Sequence, residues 1–310
     1  MMLQKDIIFD RRRKPWNGIG YNITKAVDSK SVLSMADLDW NVIQKDVYTE
    51  DKFIIDGYKA NVRDKDLAVL GIVTDKYQVV QNSEAFDFVD DLFGEGVEFE
   101  TAGNLQGGRK SWILARMPEF YKVLDDEIAP YFLLVNSHDG TSGFKIAITP
   151  IRVICRNTLN LALKNSQRMW SGKHTLNLKS RISEAQEVML NVKHYMGELD
   201  KAAEELQAKR LSGKKVMDML NQILPDESGM THIQKQNRAR QLEDLKMRYF
   251  DAPDLKDMGN TAYRYVNAVS DFATHAEPTR KTKNYKENLF LKTIGGNPTI
   301  DLAYKIAQAA

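Results

Sequence analysis

The stretch "YFLLVNSHDGTSGFKIAITPIRVIC", Tyr131 to Cys155, decides the fold of this chain. Two apolar runs flank a polar, glycine-bearing turn from His138 to Gly143, which is the pattern of a β-hairpin. A second pair of runs, in "VEFETAGNLQGGRKSWILARM", surrounds a turn from Leu105 to Gly108. Two successive hairpins indicate an antiparallel sheet.

The segments before these hairpins predict further strands and one helix. "KFIIDGYKANVRD" reads as two short strands, and "DLAVLGIVTDKYQVVQ" as a strand that ends in a turn at Thr74 to Lys76. "SEAFDFVDDLFGEG" places its apolar residues on one helical stripe. We expect this helix to be capped by the side chain of Asn82 or Ser83 and stopped by Gly94.

The pattern changes to helical spacing from Ser180 onward, where Glu, Lys, Ala and Leu dominate. Helices are predicted over residues 180–211, 214–224, 231–248, 261–275 and 299–309, and "HAEPTRKTKNYKEN" reads as a loop. The predicted fold is therefore α+β: an antiparallel sheet with packed helices over residues 1–175, followed by a mainly helical region over residues 176–310.

Composition narrows the classes of function. The 310 residues include 44 basic and 42 acidic side chains, so any nucleic-acid binding must come from a local patch rather than from net charge. "DRRRK" at residues 10–14 and "RKTKNYK" at residues 280–286 are basic clusters, with solvated surface as the simpler interpretation. No apolar run can span a bilayer and no signal peptide begins the chain, so we expect a cytoplasmic protein without a membrane partner.

Signatures of catalysis are weak. The five histidines are scattered singly, which argues against a zinc site, and no cofactor is expected. The acidic clusters at Asp90–Asp91 and Asp125–Glu127 suit a solvated helix face and a turn better than a magnesium site. The single cysteine, Cys155, falls among apolar strand neighbours and reads as core. An enzyme is the least supported class, and Asp90, Asp91, His138 and Asp139 are its first candidates for testing.

Recognition of an anion is better supported. Arg152 and Arg156 share one strand face, and Asn157 suits the N-cap of a following helix, which together would hold a phosphate. Cations interleaved with aromatic rings on a sheet suit single-stranded nucleic acid, because rings stack on bases. The alternative is that Trp112 and Phe144 belong to the core. The predicted nucleic-acid-binding residues are Arg109, Lys110, Trp112, Lys145, Arg152, Arg156, Asn157, Arg168 and Lys173.

Several phrases together resemble a known family. "GIVTDKYQVVQNSEAFDFVDDL", "NSHDGTSGFKIAITPIRVICRNTLNLAL", "KHT" and "NTAYRYVNAVSDFATH" are similar to the phage/plasmid-like proteins catalogued as domain of unknown function 932. The resemblance implies a mobile-element protein in a bacterial host cell, and it assigns no catalytic or binding residue. The predicted architecture is also similar to that of phage single-strand annealing proteins, although fold alone does not define function.

Two functions remain open from the sequence. The first is a DNA-binding protein of replication or recombination that binds or anneals single-stranded DNA without a catalytic centre. The alternative is a protein–protein interaction factor, such as an inhibitor of a host defence system or an assembly scaffold, which presents its helical half to a partner. The partners left open are therefore single-stranded DNA, a host protein and further copies of the chain.

Overall fold

A computed structural model describes residues 19–93, 97–152, 161, 163, 168–174, 184, 186–187, 190–280 and 282–310. The strands are β1 (Tyr21–Asn22), β2 (Val42–Tyr48), β3 (Ile54–Arg63), β4 (Val69–Thr74), β5 (Glu98–Leu105), β6 (Lys110–Arg116), β7 (Tyr121–Val123), β8 (Asp126–Ser137), β9 (Phe144–Arg152) and β10 (Met169–Gly172). The helices are α1 (Ser29–Met35), α2 (Asn82–Phe93), α3 (Val192–Ala208), α4 (Gly213–Ile223), α5 (His232–Phe250), α6 (Ala262–His275), α7 (Tyr285–Gly295) and α8 (Pro298–Gln308).

The predicted α+β class is confirmed, with antiparallel sheets in the N-terminal half and mostly helices in the C-terminal half. The large sheet has the order β1-β5-β6-β8-β9-β10, with β7 paired to β8, and the small sheet has the order β2-β3-β4. Both predicted hairpins are present, as β5–β6 and β8–β9. None of the described helices has the length and apolar character needed to cross a membrane.

Some local predictions were wrong for identifiable reasons. The segment expected to form two short strands is the single strand β3, which passes through Gly57 at φ 80°. Glycine tolerates this left-handed conformation, so the strand distorts there without ending. Asn82 does not cap α2, because it is the first residue of the helix and its Oδ1 atom accepts from His138 Nε2 at 3.0 Å. Helix α7 occupies part of the segment predicted as a loop.

Both faces of the large sheet are buried. The main core joins one face to helices from both halves of the chain, including Phe86 of α2, Tyr195 of α3 and Tyr265 of α6. A second core covers the opposite face, where Phe290 of α7 packs on Trp112 with ring centroids 4.5 Å apart. The helical half therefore lies on both sides of the sheet, and the predicted boundary at residue 175 stays a prediction.

The small sheet contacts the large one at the β8–β9 turn. The Asn61 amide donates to the His138 carbonyl at 2.7 Å, and the backbone of Gly71 in β4 lies against Asp139. A Cβ atom added at Gly71 would be 2.6 Å from the Asp139 Cα atom. Backbone on both sides leaves no flexible side chain to move away, so this glycine sets the distance between the sheets.

We expect Gly71→Ala to lower the free energy of unfolding by about 1–3 kcal/mol, because overpacking forces the two sheets apart. Gly197→Ala is the matched control, since Gly197 lies within α3 with open space around the position of a Cβ atom. That control should raise stability by about 0.5–1 kcal/mol. Urea unfolding of both variants measures the difference, and equal effects would contradict the close packing.

Candidate nucleic-acid interface

Lys110 points into the β8–β9 turn rather than toward solvent. Its Nζ atom lies 3.1 Å from Asp139 Oδ2 and 2.7 Å from Thr141 Oγ1, and Ser137 and Ser142 also accept from it. The side chains of Lys110 and Asp139 are only 8% and 6% exposed. This ammonium group is neutralised and saturated inside the protein, so it has no donor left for a phosphate.

Asp139 is the acceptor that organises this turn. Its Oδ1 atom accepts from the Ser137 hydroxyl at 2.7 Å and from the Thr141 amide at 2.8 Å. Burial by itself raises the pKa of Asp139, but the hydrogen bonds from Thr141, Ser137 and Lys110 outweigh burial and hold the pKa below its usual value. The carboxylate is therefore structural, with its oxygens already engaged.

The aromatic residues that were candidates for base stacking are buried. Trp112 is fully buried against Phe290, and Phe144 is 4% exposed and lies edge-on to Trp170. Neither ring presents a face to solvent, because both faces of the large sheet are covered. The core interpretation of these two residues agrees with the structure.

Three of the predicted cations remain available at the surface. Arg109 and Lys173 are exposed, and Lys145 is half-buried. None of the three forms an ion pair within the described part of the chain. Lys145 is paired with Ser171 across β9 and β10, and Lys173 lies two residues further on, beside Gly143. Alternation along β10 therefore puts Lys145 and Lys173 on one sheet face.

Of the predicted phosphate-binding residues Arg152, Arg156 and Asn157, only the backbone of Arg152 lies within the described part of the chain. The side chain of Arg152 and all of Cys155, Arg156 and Asn157 lie outside the described residues, so phosphate binding there stays a prediction. Arg168 is half-buried and donates to the Ile148 carbonyl at 3.5 Å. Its Nη2 atom would be 3.8 Å from a Cβ atom added at Gly296, between α7 and α8. Arg168 thus comes close to elements that the sequence did not assign to the site.

Those elements form a cleft of about 350 Å³ among α5, α6, α7 and α8. Arg280 and Lys292 line it together with the half-buried rings of Phe272 and Tyr285. Amide and hydroxyl groups also line it, from Gln241, Asn288, Thr282, Asn297 and Thr299, together with one carboxylate, that of Glu277. The cleft therefore has the combination of cations and aromatic rings that the sequence predicted for other residues, on the large sheet.

The surface around this cleft is basic. Residues 280–292 contain five basic side chains and one acidic one, Glu287. Glu287 accepts a hydrogen bond from the Gln106 amide at 2.9 Å, which ties α7 to the β5–β6 turn next to the exposed Arg109. No ion pair within the described residues involves Arg280, Lys283, Lys286 or Lys292. The cluster in "RKTKNYK", read from sequence as solvated surface, thus leads into a lined cleft.

A buried histidine pair lies behind the β8–β9 turn. The His138 Nε2 atom lies 3.0 Å from Asn82 Oδ1 and donates to it, because the Asn82 amide nitrogen already donates to Leu38. His174 stacks on Tyr77, with ring centroids 4.9 Å apart. His138 Nδ1 and both ring nitrogens of His174 have no hydrogen-bond partner among the described residues.

Two of the acidic residues considered for catalysis or for a metal ion have structural partners. Asp90 accepts from the Ser29 amide at 3.0 Å, at the start of α1, and Asp126 accepts from the Tyr263 hydroxyl at 3.0 Å. The described residues contain no group of three or more His, Cys, Asp or Glu side chains that could hold a metal ion. The side chain of Asp91 lies outside the described residues.

The fold is α+β, and its helical half carries a cleft lined by two cations and two aromatic rings. The chain belongs to the family described as a domain of unknown function (DUF932), whose model matches residues 69–292. That range covers both the β8–β9 turn and most of the cleft lining. No curated protein and no solved structure matches the chain significantly.

Proposed function

We propose that the chain binds single-stranded DNA through the cleft among α5, α6, α7 and α8, as a protein of replication or recombination on a mobile element. One observation carries the proposal: Arg280 and Lys292 line the same cleft as the rings of Phe272 and Tyr285. Cations neutralise phosphates while an aromatic ring stacks on a base, and each stacked base contributes roughly 1–3 kcal/mol.

Basic residues outside the cleft would let a bound single strand of DNA extend beyond it. Lys283 and Lys286 are exposed beside it, and Arg168 approaches it at Gly296. Lys145 and Lys173 extend the set of available cations along the β9–β10 edge. A strand that enters the cleft with one base would contact several of these groups through its phosphates, which makes binding dependent on ionic strength.

We expect the double variant Arg280→Ala/Lys292→Ala to weaken binding to a labelled oligothymidylate and to reduce the slope of log affinity against log salt by about 1.4, since each lost phosphate contact removes about 0.7 for a single strand. Fluorescence anisotropy titrations at several salt concentrations measure both quantities. Lys214→Ala/Lys215→Ala is the matched control, because both lysines are exposed on α4, away from the cleft.

Tyr285→Ala tests the stacking part separately and should weaken binding without changing the salt slope. Absence of binding to oligothymidylate, RNA and duplex DNA at low ionic strength would disprove the proposal. Equal loss in the α4 control would show that the cations act without a defined site. Stronger binding of an RNA competitor would assign the cleft to RNA instead of DNA.

A further inference from the structure

The small sheet carries most of the exposed apolar surface. Among the described residues, seventeen large apolar side chains are exposed, and nine of them lie between residues 43 and 72. This segment is about a tenth of the chain. Contiguous apolar surface of this kind marks an interaction site, because single exposed apolar residues are otherwise scattered.

Strand register places much of this surface on one face. Ile43 lies opposite Val62, which is paired to Val69, and Lys45 lies opposite Ala60, which is paired to Ile72. Tyr58 follows on the same face. Ile72 and Val69 are 51% and 56% exposed, whereas the opposite face contacts the large sheet through Asn61 and Gly71. On this outward face, the central-strand residues Val62 and Ala60 are buried, at 3% and 8% exposure, and the exposed apolar residues flank them on β2 and β4.

The β2–β3 hairpin continues this surface as a projecting arm. Its turn closes with a hydrogen bond from the Thr49 amide to the Phe53 carbonyl at 2.8 Å. Tyr48, Phe53 and Ile54 on the arm are 53%, 71% and 55% exposed. Apolar side chains on a projecting hairpin have no core of their own to enter, so a second molecule is needed to bury them.

The size of the surface can be compared with that of a dimer interface. Strands β2, β3 and β4 contain 7, 10 and 6 residues. At about 3.4 Å per residue and about 4.8 Å between strands, their face covers roughly 375 Å² in projection, before the relief of the side chains is counted. Specific interfaces bury about 800 Å² of accessible surface on each partner. The flat face is therefore about half of that area, and the side-chain relief and the turn of the arm add to it.

The charges of the surface are complementary to themselves. Lys45 is an exposed charge on the sheet face, while Glu50 and Asp51 lie at the tip of the arm. None of the three forms an ion pair within the described residues. A two-fold axis close to Tyr58 would exchange these two positions and bring the acidic tip of each arm over Lys45 of the other copy, as an isologous interface requires.

We propose that the chain forms a two-fold homodimer through the outward face of the β2–β3–β4 sheet, with each β2–β3 arm lying across the sheet of the other copy. The axis passes near Tyr58, so the two Tyr58 side chains are neighbours. This interface uses no residue of the proposed DNA cleft, so dimerisation and DNA binding can be tested independently.

Sedimentation velocity of the nuclease-treated protein tests the association. The wild-type chain should sediment at about twice the 35.4 kDa mass of one chain. Ile72→Asp should sediment as a single chain, whereas the control Ile233→Asp should remain dimeric, because Ile233 is 69% exposed on α5 but far from this face in sequence. A monomeric wild-type protein, or a dimeric Ile72→Asp variant with intact circular dichroism, would overturn the proposal.

Charge reversal and cross-linking test the arrangement. Lys45→Glu and the pair Glu50→Lys/Asp51→Lys should each weaken the dimer by about tenfold through like-charge contacts, and their combination should restore it. In a Cys155→Ala background, Tyr58→Cys should form an intermolecular disulfide on mild oxidation, whereas Val27→Cys, at an 87% exposed position, should not. Failure of the combined variant to recover, or equal cross-linking at both positions, would contradict the two-fold axis.

Discussion

Replacing Lys110 by methionine is expected to lower the free energy of unfolding by about 3–5 kcal/mol, because it leaves the buried Asp139 carboxylate without its cation. Methionine preserves most of the volume of the side chain, so the loss reports charge rather than packing. The hydrogen bonds from Ser137 and Thr141 remain, but they satisfy only part of the carboxylate. Urea unfolding at neutral pH measures the change.

Two further variants identify the cause of this loss. Lys110→Met/Asp139→Asn should recover much of the lost stability, since the double variant has no buried charge to compensate. Lys122→Met should change stability by less than about 0.5 kcal/mol, because an exposed ion pair with Asp125 contributes little. An equal loss in the single and double variants would attribute the effect to packing and contradict the electrostatic account.

Lowering the pH from 6.5 to 5 is expected to cost the protein about 3 kcal/mol of stability through His138 and His174. Burial lowers the pKa of His138 from 6.5 to about 3, assisted by the nearby His174 and opposed by Asp139. Burial likewise lowers the pKa of His174 to about 4, opposed by Gln78 and Asp139. Below pH 6.5 the unfolded chain binds two protons that the folded chain does not.

The direction in which stability changes with pH follows from these lowered pKa values. The stabilisation falls as the pH drops through 6.5, and well below that pH the slope approaches about 1.4 kcal/mol per pH unit for each histidine. Because the pKa of Asp139 is held below its usual value, its carboxylate stays ionised over this pH range and keeps its ion pair with Lys110. Chemical denaturation across this range measures the slope.

His174→Phe should remove about half of this pH dependence while retaining the stacking on Tyr77. The exposed His232→Phe on α5 is the control and should leave the slope unchanged. A slope that is the same in the His174 variant and the wild-type protein would show that other groups carry the acid sensitivity.

The candidate site was only partly predictable. Of the cations predicted to bind nucleic acid, Arg109 and Lys173 are exposed and Lys145 is half-buried, whereas Lys110 is buried in an oxygen-lined turn. Residue type cannot distinguish these cases, because the partners Asp139 and Thr141 lie about thirty residues away in sequence. The hydroxyl- and acid-rich turn "SHDGTS" was the available signal that a cation would be bound internally.

The cleft itself was missed because α7 was interpreted as a loop. The basic residues at its start and the preceding Pro278 masked an apolar pattern at Leu289 and Phe290. Phe290 packs on Trp112, a contact between residues that are distant in sequence. Tertiary packing of that ring, rather than local propensity, holds the helix and thereby places Tyr285 and Lys292 in one cleft.

The sequence by itself determined the α+β class, both hairpins and most helices of the C-terminal half, because period-2 and period-3.6 patterns and glycine turns act over a few residues. Only the tertiary structure decided that both faces of the large sheet are covered, that Lys110 and Trp112 are buried, and that the cleft forms among the helices while apolar residues of the small sheet stay exposed. Burial is a property of packing between distant segments, and no local pattern specifies which segment covers which face.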